Sequence, residues 1–180
     1  MVEIIFETHS ETTDNEAGLA SGWYDVGLSA KGKIQAQALG ERRLTDNFDV
    51  VFCSDLKRAV ETYEIAFGKR KFKVIKDPRL RECNYGDLNK YPKGDVEPIK
   101  ALHLKKPFPN GESYEETTER MRHFLNDLLA VYDNKKVLII GHRATQYGLD
   151  HLIDGVLLKE AVTRSWRWQP GWQYWLTNKV

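Results

Sequence analysis

Two histidines and an arginine stand where short apolar runs of the sequence end. His9 follows VEIIF (2–6), His142 follows KVLII (136–140), and Arg58 lies just beyond a third such run. A neutral imidazole can act as a nucleophile or a general base, and a guanidinium binds anions. A lone histidine is more often a structural residue, but two in matching positions favour a site for an anionic ligand.

Four runs rich in β-branched and aromatic residues predict β-strands. Their apolar positions are continuous, as expected for strands covered on both faces. Helical patterns lie between them, which predicts one α/β domain with a mostly parallel, doubly wound sheet in three α/β/α layers. Ligands bind beyond the carboxyl ends of strands in such sheets, so the histidines and the arginine should converge there. The predicted strands are 2–6, 48–52, 72–75 and 136–140.

Serine residues mark the starts of three predicted helices. Ser29 is the predicted N-cap of the first helix, with Ile34, Ala38 and Leu39 on one face. The S-Y-E-E pattern that begins at Ser113 predicts a capping box. The predicted helices span roughly 29–44, 54–67 with Ser54 as its cap, 113–132, and 142–155.

Composition excludes several classes of protein. The 27 basic and 26 acidic residues give a net charge of +1, which argues against sequence-independent nucleic-acid binding. No run approaches the 18 apolar residues of a membrane span, and the N-terminus lacks a signal-peptide pattern. Two cysteines do not make a disulfide framework. We therefore predict a cytoplasmic protein with reduced thiols and no membrane partner.

Charge is nevertheless uneven along the chain. Residues 1–30 contain six acidic residues and no lysine or arginine, which leaves 27 basic against 20 acidic residues, a net +7, in the remainder. Any positive charge in an anion site must therefore come from the remainder. The absence of CxxC and HExxH patterns favours a protein without a metal or cofactor; a metal centre built from His9 and His142 is a remote alternative.

Residues 83–112 are rich in proline, glycine and lysine and lack clear periodicity. Because this segment is longer than an ordinary connection, we predict a lid or substrate loop within the single domain. Residues 90–106 carry five lysines against two acidic residues. The simpler interpretation is a solvated loop surface, and the alternative is attraction for a second anionic group on a substrate.

Four tryptophans crowd SWRWQPGWQYWL (165–176). Their spacing suggests extended segments around a Pro-Gly turn, and packing against the sheet is the simpler interpretation. The alternative is an aromatic patch that serves a homodimer.

The ensemble of motifs resembles the histidine phosphatase superfamily, which includes the cofactor-dependent phosphoglycerate mutases. The resemblance spans nearly the whole chain and implies a phosphoglycerate mutase-like fold. The motifs are THSETTDN (8–15), GWYDVGLSAKG (22–32), SDLKRAVET (54–62), RLRECNYGDL (79–88), PNGESYEE (109–116) and IIGHRAT (139–145).

This resemblance implies a phosphohistidine mechanism acting on a small phosphorylated substrate. His9 matches the nucleophile, Arg58 a phosphate-clamping arginine, and His142 the second histidine of the pocket. Glu82 matches the residue that gives a proton to the leaving oxygen. Other residues expected to bind phosphate or to line the pocket are Thr8, Ser10, Asn15 and, less certainly, Glu11.

The sequence departs from the family at the nucleophile motif, with Thr8-His9-Ser10 in place of Arg-His-Gly. Loss of one preorganised charge donor costs roughly 10²–10³ in rate if nothing replaces it. Arg143, which follows the second histidine where the family usually has a small residue, is our candidate replacement. The alternatives are that Arg143 points to solvent or pairs with an acid such as Glu7 or Glu11, and the other candidate donors are Arg70, Arg79 and Arg81.

Three activities are consistent with these residues. The first is a phosphomonoester hydrolase that forms a phosphohistidine on His9. The second is a catalytically weak or inactive relative that binds a phosphorylated ligand or partner. A phosphoglycerate mutase-type phosphotransferase is less well supported, because 180 residues leave little room for the additional cover that typical mutases carry.

Overall fold

Five strands form the central sheet of the computed structural model, which describes residues 1–180. The strands of the protein are β1 (Val2–Thr8), β2 (Leu19–Ala20), β3 (Val50–Cys53), β4 (Val74–Lys76), β5 (Tyr91–Pro92), β6 (Lys136–Gly141) and β7 (Trp172–Leu176). In the central sheet β1, β3, β4 and β6 run parallel, and β7 lies antiparallel beside β1 at one edge, in the order β4-β3-β6-β1-β7. A separate antiparallel pair joins β2 to β5.

Seven α-helices and three 3₁₀ helices surround this sheet. The 3₁₀ helices are Pro78–Leu80, Gly86–Leu88 and Glu97–His103. None of the helices combines the length and the apolar composition that a membrane span requires. The α-helices are α1 (Thr13–Glu16), α2 (Ala30–Arg42), α3 (Lys57–Phe67), α4 (Lys93–Val96), α5 (Tyr114–Val131), α6 (Arg143–Leu152) and α7 (Leu158–Thr163).

Successive residues of the buried strands enter two different hydrophobic clusters. Ile4 and Phe52 pack with Phe124 of α5 and its neighbours on one face, whereas Ile5 and Val51 pack on the other with residues of α2 and α3. Because each face buries apolar side chains, the continuous apolar runs are explained. The predicted three-layer α/β/α arrangement with a mostly parallel sheet is confirmed.

Helix α2 begins after Ser29 as predicted, but its buried face differs from the prediction. Leu39 is buried as predicted, but Ile34, at 66%, and Ala38 are exposed, and the other buried positions are Gly32 and Ala36. A Cβ on Gly32 would lie 1.9 Å from the carbonyl oxygen of Glu11. Beside Leu39, the helix therefore packs through two small residues, which permit close backbone approach and which a search for large apolar side chains overlooks.

One other helix prediction needs correction. Ser54 is not the cap of α3, because the N-cap is Leu56 and the Ser54 hydroxyl instead accepts a hydrogen bond from the Leu56 amide at 3.3 Å. The helix predicted after His142 is confirmed as α6, and a further short helix, α7, follows it that was not predicted. The capping box between Ser113 and Glu116 is also confirmed.

The segment 83–112 leaves and rejoins the fold at one backbone crossing. The Glu112 amide donates to the carbonyl of Asn84 at 2.8 Å, and the Asp87 amide donates to the carbonyl of Pro109 at 2.9 Å. Gly86 has a φ of 55°, and a Cβ there would lie 1.9 Å from the Pro109 oxygen. Only glycine tolerates both the positive φ and this close backbone approach. Glycine therefore allows the crossing, and the two backbone hydrogen bonds hold the ends of the segment together.

Candidate active site

The site lies at the carboxyl edge of the sheet, where β1 and β6 end side by side. Thr8 is paired with Gly141 in the parallel register, so His9 and His142, the next residue on each strand, are neighbours. Their ring centroids are 5.0 Å apart. A cavity of about 650 Å³ opens over this edge and is lined by His9, Arg58 and Glu82.

The His9 ring is held in one tautomer by a backbone contact. Its Nδ1 lies 2.8 Å from the carbonyl oxygen of Ser10, so Nδ1 carries the proton and donates it. The Ser10 amide in turn donates to the Thr62 hydroxyl at 2.9 Å. Nε2 is left unprotonated, without a protein partner, at the wall of the cavity. That state is the one in which an imidazole nitrogen is nucleophilic.

The surroundings of His9 keep its ring neutral. Burial, followed by the positive charge of Arg58 and a smaller effect of Arg143, lowers the pKa of His9 to about 3, although the hydrogen bond to Ser10 opposes this shift. His9 is therefore neutral at physiological pH.

His142 is fully buried and is oriented by Ser54. Its Nε2 lies 2.8 Å from the Ser54 hydroxyl, whereas Nδ1 has no hydrogen-bond partner. Burial, and then the charge of Arg58, lowers the pKa of His142 well below its usual range. A buried polar atom without a partner is costly. Unlike His9, Arg58 and Glu82, His142 does not line the cavity.

Arg58 projects from α3 and is fixed by the backbone that follows β2. Its two terminal nitrogens donate to the carbonyls of Gly22, at 2.7 Å, and Tyr24, at 3.1 Å. These two bonds use two of its five N–H groups and leave the others for an anion. Arg58 is only 1% exposed, so its charge is screened little by water.

Glu82 is anchored through one carboxyl oxygen. Oε1 accepts from the amide of Cys83 at 2.8 Å and from the amide of Ala144, in the first turn of α6, at 3.3 Å. Oε2 has no protein partner. The residue is 8% exposed and lines the cavity, so Oε2 can exchange a proton with a bound molecule.

The predicted phosphate-binding residues also line the cavity: Thr8, Ser10, Asn15 and Arg143. Asn15 belongs to the capping box of α1, where its Oδ1 accepts from the Thr12 amide at 3.1 Å. Its Nδ2 has no protein partner and remains available as a donor.

Arg143 lies in the cavity wall and is paired with an acid that we did not predict. One terminal nitrogen donates to Glu97 Oε1 at 3.0 Å, and the guanidinium carbon lies 4.6 Å from the ring centroid of Trp166. Glu7 instead binds Arg42 and Arg43, and Glu11 binds Lys31. The guanidinium is therefore held between an aromatic ring and a carboxylate at the edge of the pocket.

The other arginines proposed as replacements are used elsewhere. Arg79 pairs with Asp77 and Asp127, and Arg81 pairs with Asp55. Arg70 donates to two backbone carbonyls. None of these three lines the cavity.

Sequence reasoning missed much of the cavity wall. Tyr85, Lys93, Glu97 and Lys100 of the segment 83–112, with Trp166 and Trp168, contribute to it. The excess of lysine in this segment was the one available signal, but it does not separate the buried Lys100 from the exposed Lys106.

The neutral histidine pair should make the protein sensitive to acid. Below pH 6.5 the unfolded state protonates each ring, whereas folded His9 and His142 stay neutral, so the unfolding free energy falls as pH falls. Each ring contributes a slope that approaches about 1.4 kcal/mol per pH unit. Urea unfolding at several pH values above the carboxylate range measures this slope. In His9→Asn, the number of protons taken up on unfolding should fall by about one, so the slope should be smaller. An unchanged slope in that variant would contradict the neutral state of His9.

No group of three or more histidine, cysteine, aspartate or glutamate side chains is placed to hold a metal ion. The site instead combines a neutral histidine, a second histidine, a buried arginine and a glutamate at one sheet edge. Together with the α/β fold, this arrangement corresponds to an established class. The sequence profile of the histidine phosphatase superfamily (branch 1) matches residues 4–167, and the chain belongs to this family.

Named relatives agree with this membership. The chain is 32% identical over 155 residues to "Uncharacterized phosphatase PhoE" of Bacillus subtilis, covering 86% of this chain and 79% of that protein. It is 32% identical over 152 residues to "Phosphoserine phosphatase 1" of Hydrogenobacter thermophilus, covering 79% and 71%. The structure of YhfR from Bacillus stearothermophilus superimposes with a TM-score of 0.81 at 24% identity, covering 94% and 88%, and supports the same fold.

Proposed function

We propose that the protein is a phosphomonoester hydrolase that acts through a phosphohistidine on His9, with Glu82 as the proton donor. The observation that carries this proposal is the fixed tautomer of His9, whose Nδ1 donates to Ser10 while Nε2 has no protein partner in a residue that lines the cavity. Phosphatase activity also agrees with the family and with the names of its relatives.

In the first step, His9 Nε2 attacks phosphorus. A P–N bond forms as the P–O bond to the alcohol breaks, and protonated Glu82 transfers its proton from Oε2 to the leaving oxygen. Phosphoryl transfer depends on positioning and on positive charge around the equatorial oxygens. Arg58 supplies a desolvated guanidinium, and the His142 ring, which Ser54 orients, packs beside the His9 ring with a centroid distance of 5.0 Å.

The second step returns the enzyme to its starting state. The Glu82 carboxylate takes a proton from a water molecule as the water oxygen attacks phosphorus. The P–N bond breaks, and inorganic phosphate leaves with His9 neutral and Glu82 protonated. One carboxyl group thus serves as acid and then as base, which requires that Oε2 alone exchange protons while Oε1 stays anchored.

We further propose that Arg143 takes the place of the family's motif arginine. Its charge acts on His9, and its guanidinium keeps N–H groups free after its bond to Glu97. Thr8, at the end of β1, lacks the guanidinium of the family's arginine, and Arg143, at the start of α6, supplies one in its place.

Trapping the intermediate tests the proposed function. A labelled phosphate ester is mixed with the enzyme and quenched in acid or in alkali, because a phosphohistidine is labile in acid and stable in alkali. We expect an alkali-stable label that maps to His9 and is absent in His9→Asn. No label and no turnover across a broad panel of phosphate esters would support instead a relative that only binds a phosphorylated ligand.

Arg143→Met is expected to lower kcat/KM by about 10²-fold and to weaken the inhibition by inorganic phosphate. Methionine keeps an apolar contact with Trp166 but removes the charge. Thr8→Arg in the same background should restore much of the loss, because it returns a guanidinium to the family's position. Arg122→Met, on the distant surface of α5, is the matched control. Unchanged phosphate inhibition in Arg143→Met would show that Arg143 does not bind the anion.

A further inference from the structure

Lys100 is an unusual lysine because its side chain is buried in the cavity wall. Only 3% of the side chain is exposed, and the residue lines the same cavity as His9. Lysine is almost never fully buried unless it is paired, because removing an ammonium from water is costly. The position therefore requires a compensating anion.

The protein supplies only part of that compensation. The ammonium donates to Glu97 Oε1 at 3.1 Å, and Arg143 donates to the same oxygen at 3.0 Å. An ammonium has three N–H donors, so two remain without a hydrogen-bond acceptor. The ring of Tyr147, with its centroid 5.8 Å away, adds a weak cation–π contact.

A simple helix-surface ion pair does not account for this arrangement. Glu119 and Arg122 on α5 have the same spacing of three residues, but their side chains are 56% and 36% exposed. Glu97 and Lys100 instead form a pair in which the lysine faces inward. The lysine is thus directed towards the cavity rather than towards solvent.

This wall carries more positive than negative charge. Lys93, Lys100 and Arg143 surround the single carboxylate of Glu97. Burial raises the pKa of Glu97, but the charges of Lys100, Arg143 and Lys93 prevail and hold it below its ordinary value. Loss of solvation, followed by repulsion from Arg143, lowers the pKa of Lys93.

Five basic side chains line the cavity: Arg42, Arg58, Lys93, Lys100 and Arg143. Arg42 is paired with Glu7, whereas Lys100 and Arg143 both donate to Oε1 of Glu97, which lies between them. Arg58 and, to a smaller extent, Arg143 lower the pKa of His9. These two arginines suit the transferred phosphate, and Lys100, on the other side of Glu97 Oε1 from Arg143, suits an anion on the remainder of the substrate.

We propose that Lys100 binds a second anionic group, a carboxylate or a second phosphate, on the alcohol portion of the substrate. This inference rests on the proposed function and narrows its substrates to phosphomonoesters that carry such a group. Glu97 positions both cations, because its Oε1 accepts from Lys100 and from Arg143.

Matched substrate pairs test the inference. 3-Phosphoglycerate and glycerol 3-phosphate differ by a carboxylate, and fructose 1,6-bisphosphate and fructose 6-phosphate differ by a phosphate. For at least one pair, kcat/KM should be about 10- to 100-fold higher for the member with the second anion, as for one charged hydrogen bond. The pair that shows the preference identifies the anion.

Variants assign the preference to Lys100. Lys100→Met should reduce the ratio within the preferred pair to about 3-fold or less, and Lys100→Arg should retain most of it, since it keeps the charge. Lys106→Met, an exposed lysine of the same segment, should leave the ratio as in the parent. An equal ratio in the parent and in Lys100→Met, or no preference in either pair, would overturn the inference.

A binding measurement separates this inference from the proposed function. Calorimetric titration of His9→Asn with the same four esters should give the same order of Kd without turnover. If the parent hydrolyses p-nitrophenyl phosphate and labels His9 but shows no preference, only the role of Lys100 fails. If the parent turns over no ester while the preference persists in Kd, the hydrolase proposal fails and the anion site stands.

Discussion

His9→Asn is expected to lower kcat/KM for phosphomonoesters by about 10⁴-fold or more, the largest effect of any substitution in this site. Asparagine can still donate to the Ser10 carbonyl, so the local backbone contact with that residue is kept. It cannot form the P–N bond, and the reaction loses its covalent route. The residual rate would come from Arg58 and Arg143, which still bind and polarise the phosphoryl group.

Steady-state kinetics with p-nitrophenyl phosphate and an alkyl phosphate measure this effect, with inorganic phosphate inhibition as the control for an intact pocket. We expect the inhibition constant to change little compared with kcat/KM, because Arg58 remains held by the carbonyls of Gly22 and Tyr24. A loss of less than about 10-fold would rule out His9 as the nucleophile.

Glu82→Gln is the second large effect, and it should depend on the leaving group. For an alkyl phosphate, whose alkoxide needs a proton, kcat should fall by about 10²–10⁴-fold. For p-nitrophenyl phosphate the first step needs little assistance, so the phosphoenzyme should instead accumulate, because the second step lacks its base. Glutamine preserves the contacts, since its carbonyl oxygen can accept from the amides of Cys83 and Ala144.

Rapid-quench measurement of the labelled intermediate and of released alcohol separates the two steps. Glu64→Gln, on the exposed face of α3, is the matched control. If both substrates lost activity equally and no label accumulated, Glu82 would be a structural residue rather than the acid and base of the cycle.

The sheet and the position of the site could be predicted because both depend on simple patterns. Continuous apolar runs identified the buried strands, and residues at their ends, His9, His142 and Arg58, were expected to converge. The structure adds that β1 and β6 pair directly, which places His9 beside His142. Glu82 followed only from the family resemblance, and the cavity includes it. These predictions needed only the order of residues along the chain.

The part of the cavity wall that residues 83–112 form could not be predicted, because it depends on the three-dimensional path of that segment. Residues 83–112 form short 3₁₀ and α turns without periodicity, so nothing in the sequence shows that Lys100 turns inward and Lys106 outward. The pairing of Arg143 with Glu97 depends on that same path. Likewise, Ser54 has the residue type of a cap, but its hydroxyl orients His142, which is 88 residues distant.

The backbone crossing at the base of residues 83–112 has a consequence for how this fold can diversify. A backbone hydrogen bond joins Asn84 to Glu112, and Gly86 packs against Pro109, so the segment forms a loop that is closed at its base. Glu82 precedes this closed loop in the chain, whereas Lys93, Glu97 and Lys100 belong to it. A mutation inside the closed loop can therefore change the cavity wall while Glu82, His9 and the sheet keep their positions. On the proposed mechanism, relatives of this protein could change the alcohol that they accept by changing this loop alone, without rebuilding the residues that carry out the reaction.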